Sequence, residues 1–269
     1  MSYALIRAGD RDITSTDWLT SHHSFSFGDH YNPSNTHHGV LVALNEEKLL
    51  AGRGFDSHHH QESEIVTWVS SGSLVHRDSA GNSGVVFPGL AQRMSAGSGI
   101  DHSERNDPWP SLPGSGTHPA RYVQMWIVPD RHGIEPSYEQ RDISAQLSTG
   151  ELIAVASGDP DTNAAIGIAN RHATLYAARL PAGTSVSLPA GRFIHLFVVA
   201  GPATVDTATV DTATVDVATV DVAPASAHVT AIAAGDSLRG TDTDPVILTA
   251  GPGGTEILVW KMDRTLGEQ

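Results

Sequence analysis

The second half of the chain is a succession of short apolar runs: LIAVAS, AAIGIA, ATLYAARL, TSVSLP, FIHLFVVAG, HVTAIAAGDSL, PVILTA and TEILVWKM, separated by Gly, Pro, Asn and Asp. Runs this short, rich in β-branched residues and bounded by turn formers, specify strands and leave little room for long helices. The first half shows the same pattern. YALIRA (3–8) reads as a strand. GVLVALNEEKLLAGRGF (39–55) reads as a strand, a turn at Asn45-Glu46-Glu47 and a second short strand. Residues 64–70 form another, and LVHRDSAGNSGVVF a hairpin whose Gly81-Asn82 supplies positive-φ residues. AQRMSAGSGIDHSERND (91–107) gives two strands about a Gly-rich turn, and RYVQMWIVP (121–129) a strand stopped by proline. A proline-containing stretch near 130–150 separates the two series. The expected architecture is all-β in two domains, 1–134 and 135–269, each of ordinary domain size.

Residues 203–222, ATVDTATVDTATVDVATVDV, stand outside this scheme. A five-residue repeat cannot keep its valines on one face of a strand, because strand side chains alternate every two residues. This stretch is read as a low-complexity insert in a loop or lengthened hairpin, without chemistry of its own.

Composition narrows the function. The formal charge of −14 is unsuited to a nucleic-acid backbone or an anionic membrane. The absence of cysteine excludes disulfides, thiolate metal sites and a cysteine nucleophile. No apolar signal core or membrane-length apolar run is present, so a cytoplasmic protein, read as a monomer, is expected.

Chemistry concentrates in histidine. FDSHHHQESEIVTWV (55–69) leads into a strand, and on an extended chain His58 and His60 share a face while His59 points away. About 40 residues downstream, DHSERND repeats the spacing with His102 and Glu104. If the two segments are neighbouring antiparallel strands, three imidazoles and one carboxylate face one cavity. That donor set, without thiolate, suits Fe(II), Mn(II), Ni(II), Co(II) or Cu(II) with open positions better than a closed structural zinc site.

The run His58-x-His60…Glu64-Ile65-Val66-Thr67…Gly72…His76-Arg77-Asp78-Ser79-x-Gly81-Asn82…Pro88-Gly89…Gln92-x-Met94-x-Ala96-Gly97-x-Gly99-Ile100-x-His102-Ser103-Glu104 closely resembles the pirin family. WLTSHHSFSFGDHYNP and IEPSYEQR extend the resemblance over nearly all of the chain except 203–222. It implies two cupin (double-stranded β-helix, jelly-roll) barrels in one chain. It also implies one divalent transition metal on His58, His60, His102 and Glu104, commonly iron, with Mn, Ni, Co, Cu or Zn admitted. Many pirins have Pro where His59 stands. The implied activity is quercetin (flavonol) 2,3-dioxygenase-type ring cleavage, with a small aromatic flavonol-like substrate, O2, and Glu104 as the catalytic base. The alternative is a non-enzymatic, redox-responsive iron-binding regulator acting through a protein partner.

Other positions carry weaker expectations. The family pattern favours Glu64 over Glu62 as the carboxylate holding a ligand imidazole. His76 is assigned to hydrogen bonding in the Asp78–Asn82 turn. Phe55, Gln92 and Met94 are candidates for lining the cavity, and the facing of Gln124 is open. His22, His23, His37 and His38 read as hydrogen-bonded or surface residues, with SHHSFSF placed to cover the cavity mouth. The second half lacks a His-x-His pair, and His195 reads as a satisfied core histidine, so the C-terminal barrel is expected to be metal-free.

Overall fold

A computed structural model of the chain describes residues 2–207, 210–211 and 228–268. The first half folds into two facing antiparallel sheets. The larger runs, in spatial order, through Ser137–Asp142, Leu90–Ser95, Glu64–Ser71, Ala120–Ile127, Leu41–Leu49, Leu19–His23 and Asp12–Ser15. The smaller runs through Gly54–His60, Ile100–Arg105, Leu74–Asp78 and Ser83–Val86. The second half repeats this design. Its larger sheet is centred on Ala173–Leu180, Thr255–Met262, Gly191–Ala200 and Ser237–Thr243, and its smaller one contains Ser185–Leu188, Val246–Ala250, Ala203–Thr207 and His228–Ile232. The chain is all-β, as the strand pattern implies, and the fold is the double cupin that the resemblance implies.

The two halves exchange strands across the expected boundary at 134/135. Ser2–Ile6 pairs with Ser237–Thr243 in the second half's sheet, and Ser137–Asp142 pairs with Leu90–Ser95 in the first half's. Local pattern reveals that a segment is a strand, but its partner is set by long-range packing. The exchange has a consequence at the site, because it brings Tyr138 into the first barrel.

Leu41–Leu49 is one continuous strand, and the turn expected at Asn45-Glu46-Glu47 is not there. The polar residues that suggested it are satisfied across the barrel. His23 bonds Asn45, Ser21 and Tyr122 donate to Glu47, and Arg11 donates to Glu46. The hairpin at 74–86 forms as expected, but only Gly81 takes positive φ there; Asn82 instead clasps Asp78 with its backbone and side chain. Of the repeat, Ala203–Thr207 is a strand with Ala203 and Val205 buried, and Val210–Asp211 pairs with Tyr3 and Ala4. Residues 208, 209 and 212–222 lie outside the described residues.

The largest core lies between the two larger sheets. Val66, Trp68, Val123 and Met125 pack against Leu175, Phe197, Leu258, Trp260 and Met262. The centre of the first half's larger sheet is thus buried on both faces, which is why Glu64–Val69 is buried at every position. Trp260 is fully buried, and its Nε1–H meets Met125 Sδ at 3.2 Å. Trp260→Ala is therefore expected to lower the unfolding free energy by about 3–5 kcal/mol, measured by urea denaturation.

Candidate metal centre

His58 and His60 lie on the strand Gly54–His60, which pairs antiparallel with Ile100–Arg105 so that His102 stands directly opposite His58. The ring centroids are 4.5 Å apart for His58–His102, 4.8 Å for His58–His60 and 5.0 Å for His60–His102. One ring nitrogen from each lies within 4.8 Å of the others. His59 points outward, where its Nδ1 meets Asp101 Oδ1 at 3.0 Å.

Three features prepare these rings to act as ligands. The His58 Nδ1–H donates to the Asp56 carbonyl at 2.8 Å, which leaves Nε2 with its lone pair. His102 Nε2 is buried and has no hydrogen-bond partner, a vacancy in the bonding of a polar atom that an ion would fill. Burial, reinforced by the neighbouring imidazoles, pushes the pKa of His60 down to about 4 and that of His102 to about 3. Both are neutral near pH 7, the form that binds a metal.

Glu104 is buried on the same strand as His102, and a bulge between them shifts the register so that Glu104 faces Phe55. Its Oε2 accepts Gln124 Nε2–H at 2.7 Å, and Gln124 Oε1 accepts Trp126 Nε1–H at 3.1 Å. Gln124 therefore faces inward. Glu104 groups with His102 and His76 rather than with His58 and His60, so among the described residues two clusters of potential ligands share His102.

The residues around the centre only partly match expectation. Glu64 faces the opposite side of its sheet, where Oε2 accepts Ser95 Oγ–H at 2.8 Å and the Ala169 N–H at 3.0 Å. It holds no ligand imidazole. Counting by twos from His60 fails because the chain turns at Gln61–Ser63 with Glu62 at φ 52°. Met94 is core, packed with Ile65, Ala96 and Ile100, while Phe55 packs edge-on against Trp18 and also approaches His58. Gln92 is buried with Oε1 unpartnered. His76 reaches the turn, as its spacing suggested, but also touches His102.

Phe27 of the SHHSFSF segment stacks on His23 and meets Trp126 edge-on, and Trp126 meets His60 edge-on at 4.8 Å. His23 is locked between Asn45 and Thr14. His38 bonds the Gly240 carbonyl at 3.0 Å. His195 is fully buried, but it is not satisfied: neither ring nitrogen has a partner. Its neighbours, Phe25, His38 and Arg239, do not bond it.

One further residue lay hidden in the sequence. Glu47 is fully enclosed behind the centre, bonded to Tyr122 and Ser21, and desolvation drives its pKa up from 4.5 to about 7. Folding therefore stabilises the protonated acid. Its contribution is whole below pH 4.5 and is lost as pH rises through about 7. In metal-stripped protein this amounts to a loss of order 3 kcal/mol between pH 4.5 and 8, at about 1.4 kcal/mol per pKa unit. Glu47→Gln is expected to remove most of that slope in denaturant titrations across the range. An unchanged slope would place the titrating group elsewhere.

Comparison with known proteins gives a consistent picture. The Pirin family profile matches residues 7–127. A Mycobacterium tuberculosis (strain H37Rv) protein, provisionally named a quercetin 2,3-dioxygenase, is 47% identical over 262 residues, 97% of this chain and 96% of that one. The quercetin 2,3-dioxygenase of Escherichia coli K12 is 40% identical over 141 residues, 52% of this chain and 58% of that one. The crystal structure of the E. coli bacterial pirin YhhW in complex with nickel(II) superposes with a TM-score of 0.78 at 27% identity, covering 98% of this chain and all of that one.

Proposed function

The chain belongs to the pirin family, and on that premise we propose that it is a metal-dependent flavonol dioxygenase of the quercetin 2,3-dioxygenase type. His58, His60, His102 and Glu104 would hold one divalent transition metal. Fe(II) is the proposed native ion, since three nitrogen donors and one oxygen donor without thiolate admit it. The nickel(II) complex of the E. coli relative supports a divalent ion of this class. In the same proposal the first half carries the metal and the second half, which completes the core, carries none. We propose a cytoplasmic location, with which the cysteine-free sequence is compatible.

The observation that carries this reading is the convergence of three imidazoles on one point, with His102 Nε2 buried and unpartnered beside the buried carboxylate of Glu104. When bound, a divalent metal supplies Lewis acidity that stabilises the flavonol 3-oxyanion. The protein's own groups do the rest. Glu104, which would also hold the metal, accepts the 3-hydroxyl proton, and Gln124 fixes its orientation through one of its oxygens. His60, Trp126 and Phe27 form an edge-to-face aromatic wall suited to a flat, ring-bearing substrate. Burial keeps the His60 and His102 rings neutral near pH 7.

The test is anaerobic loading with Fe(II), followed by O2 uptake and product analysis with quercetin. The proposal expects consumption of one O2 per quercetin with ring opening and carbon monoxide release. Turnover no faster than that of free iron would contradict it.

A further inference from the structure

We propose that His76 is a positioning residue of the metal centre. The Asp78–His76 pair holds the proton of His102 on Nδ1 and so presents the Nε2 lone pair to the metal. This rests on the metal-binding reading above and adds to it the device that sets the tautomer of the ligand common to both donor clusters.

The chain of bonds begins at a fully buried carboxylate. Asp78 Oδ1 accepts the backbone N–H groups of Ala80 and Asn82 at 3.1 and 2.9 Å, and the Asn82 side-chain amide at 3.2 Å. Asp78 Oδ2 accepts that same amide at 3.0 Å and meets His76 Nε2 at 3.1 Å. Ringed by donors, Asp78 is an acceptor, so the proton between it and His76 sits on His76 Nε2. A neutral imidazole then carries a lone pair on Nδ1, which lies 3.4 Å from His102 Nδ1. His102 Nδ1–H donates into it, and His102 Nε2 is left bare. That is the buried ring nitrogen for which the structure gives no partner.

Backbone register enforces the arrangement. Ile100–Arg105 pairs with Leu74–Asp78 so that His102 lies opposite Asp78 and Glu104 opposite His76. The His76 ring is stacked on Tyr138 at 4.7 Å and 25°, on the strand the first barrel receives from beyond residue 134. The turn that holds Asp78, the exchanged strand and the ligand strand thus converge on one proton. Outer partners of this kind orient a ligand imidazole and raise its basicity.

Two substitutions separate this role from simple packing. His76→Phe keeps a ring for Tyr138 but removes the acceptor. His76→Asn loses the ring but returns an amide oxygen near the place of Nδ1. With Ni(II) as the probe, in competition with a chromophoric chelator, His76→Phe is expected to bind about 10–100-fold more weakly than wild type. His76→Asn is expected to stay within about threefold of wild type. Wild-type affinity in His76→Phe, or weaker binding in His76→Asn than in His76→Phe, would overturn the proposal. Histidine 15N NMR of the metal-free wild-type protein gives a second reading that needs no variant. His102 is expected as the Nδ1–H tautomer, and an Nε2–H tautomer would overturn the proposal. A wild-type protein that takes up no Ni(II) would instead defeat the metal-binding reading, while the NMR measurement still decides the tautomer.

Discussion

Glu104→Gln is expected to lower quercetin turnover by roughly 10²- to 10⁴-fold, the range for loss of a positioned proton acceptor. The substitution keeps the size of the side chain and one of its two oxygens. It removes the base and confronts the Gln124 amide, which now donates to Glu104 Oε2 at 2.7 Å, with a neutral partner. Metal content should fall much less than turnover, because His58, His60 and His102 remain. Steady-state kinetics and metal stoichiometry on the same preparation separate the two effects. A parallel fall in both would mean that the lost turnover reflects lost metal and would contradict the role of Glu104 as the base.

His102→Ala is expected to weaken divalent-metal binding by more than about 100-fold, beyond the range for loss of an outer partner. His102 belongs to both groups of potential ligands, so neither survives its removal intact. The change also strips His76 Nδ1 of its donor in a buried site, which costs the metal-free protein about 1–3 kcal/mol. His59→Ala is the control. Its ring lies outside, on Asp101, and its loss should leave affinity unchanged. Chelator competition on the two variants and wild type gives the comparison, and comparable losses in both would remove the distinction between the inward and outward histidines.

The two-residue period of a strand was enough to separate His58 and His60 from His59, because these three residues pair in unbroken register with Ile100–His102. It was also enough to join the two segments, since DHSE repeats the spacing on what proves to be the adjacent strand. The same count misled at Glu64. One residue at positive φ, Glu62, reverses the facing of everything after it, and nothing in GlnGluSer announces that conformation. Asn45-Glu46-Glu47 looked like a turn because polar residues in a strand interior make sense only once their partners are known. Those partners, His23, Ser21, Tyr122 and Arg11, come from other strands and from the N-terminal segment. His76 was visible as a neighbour of Asp78 but not as a neighbour of His102, since that contact depends on cross-strand register. The exchange of Ser2–Ile6 and Ser137–Asp142 between the halves is hidden for the same reason.

The central claim is that His58, His60, His102 and Glu104 form one metal site, and its most direct test is elemental analysis of natively produced protein. The account predicts close to one transition-metal ion per chain in wild type, and loss of that ion when the four side chains are replaced together by alanine in a chain that remains folded. Wild-type protein free of transition metal, or a quadruple variant that keeps its ion, would contradict it.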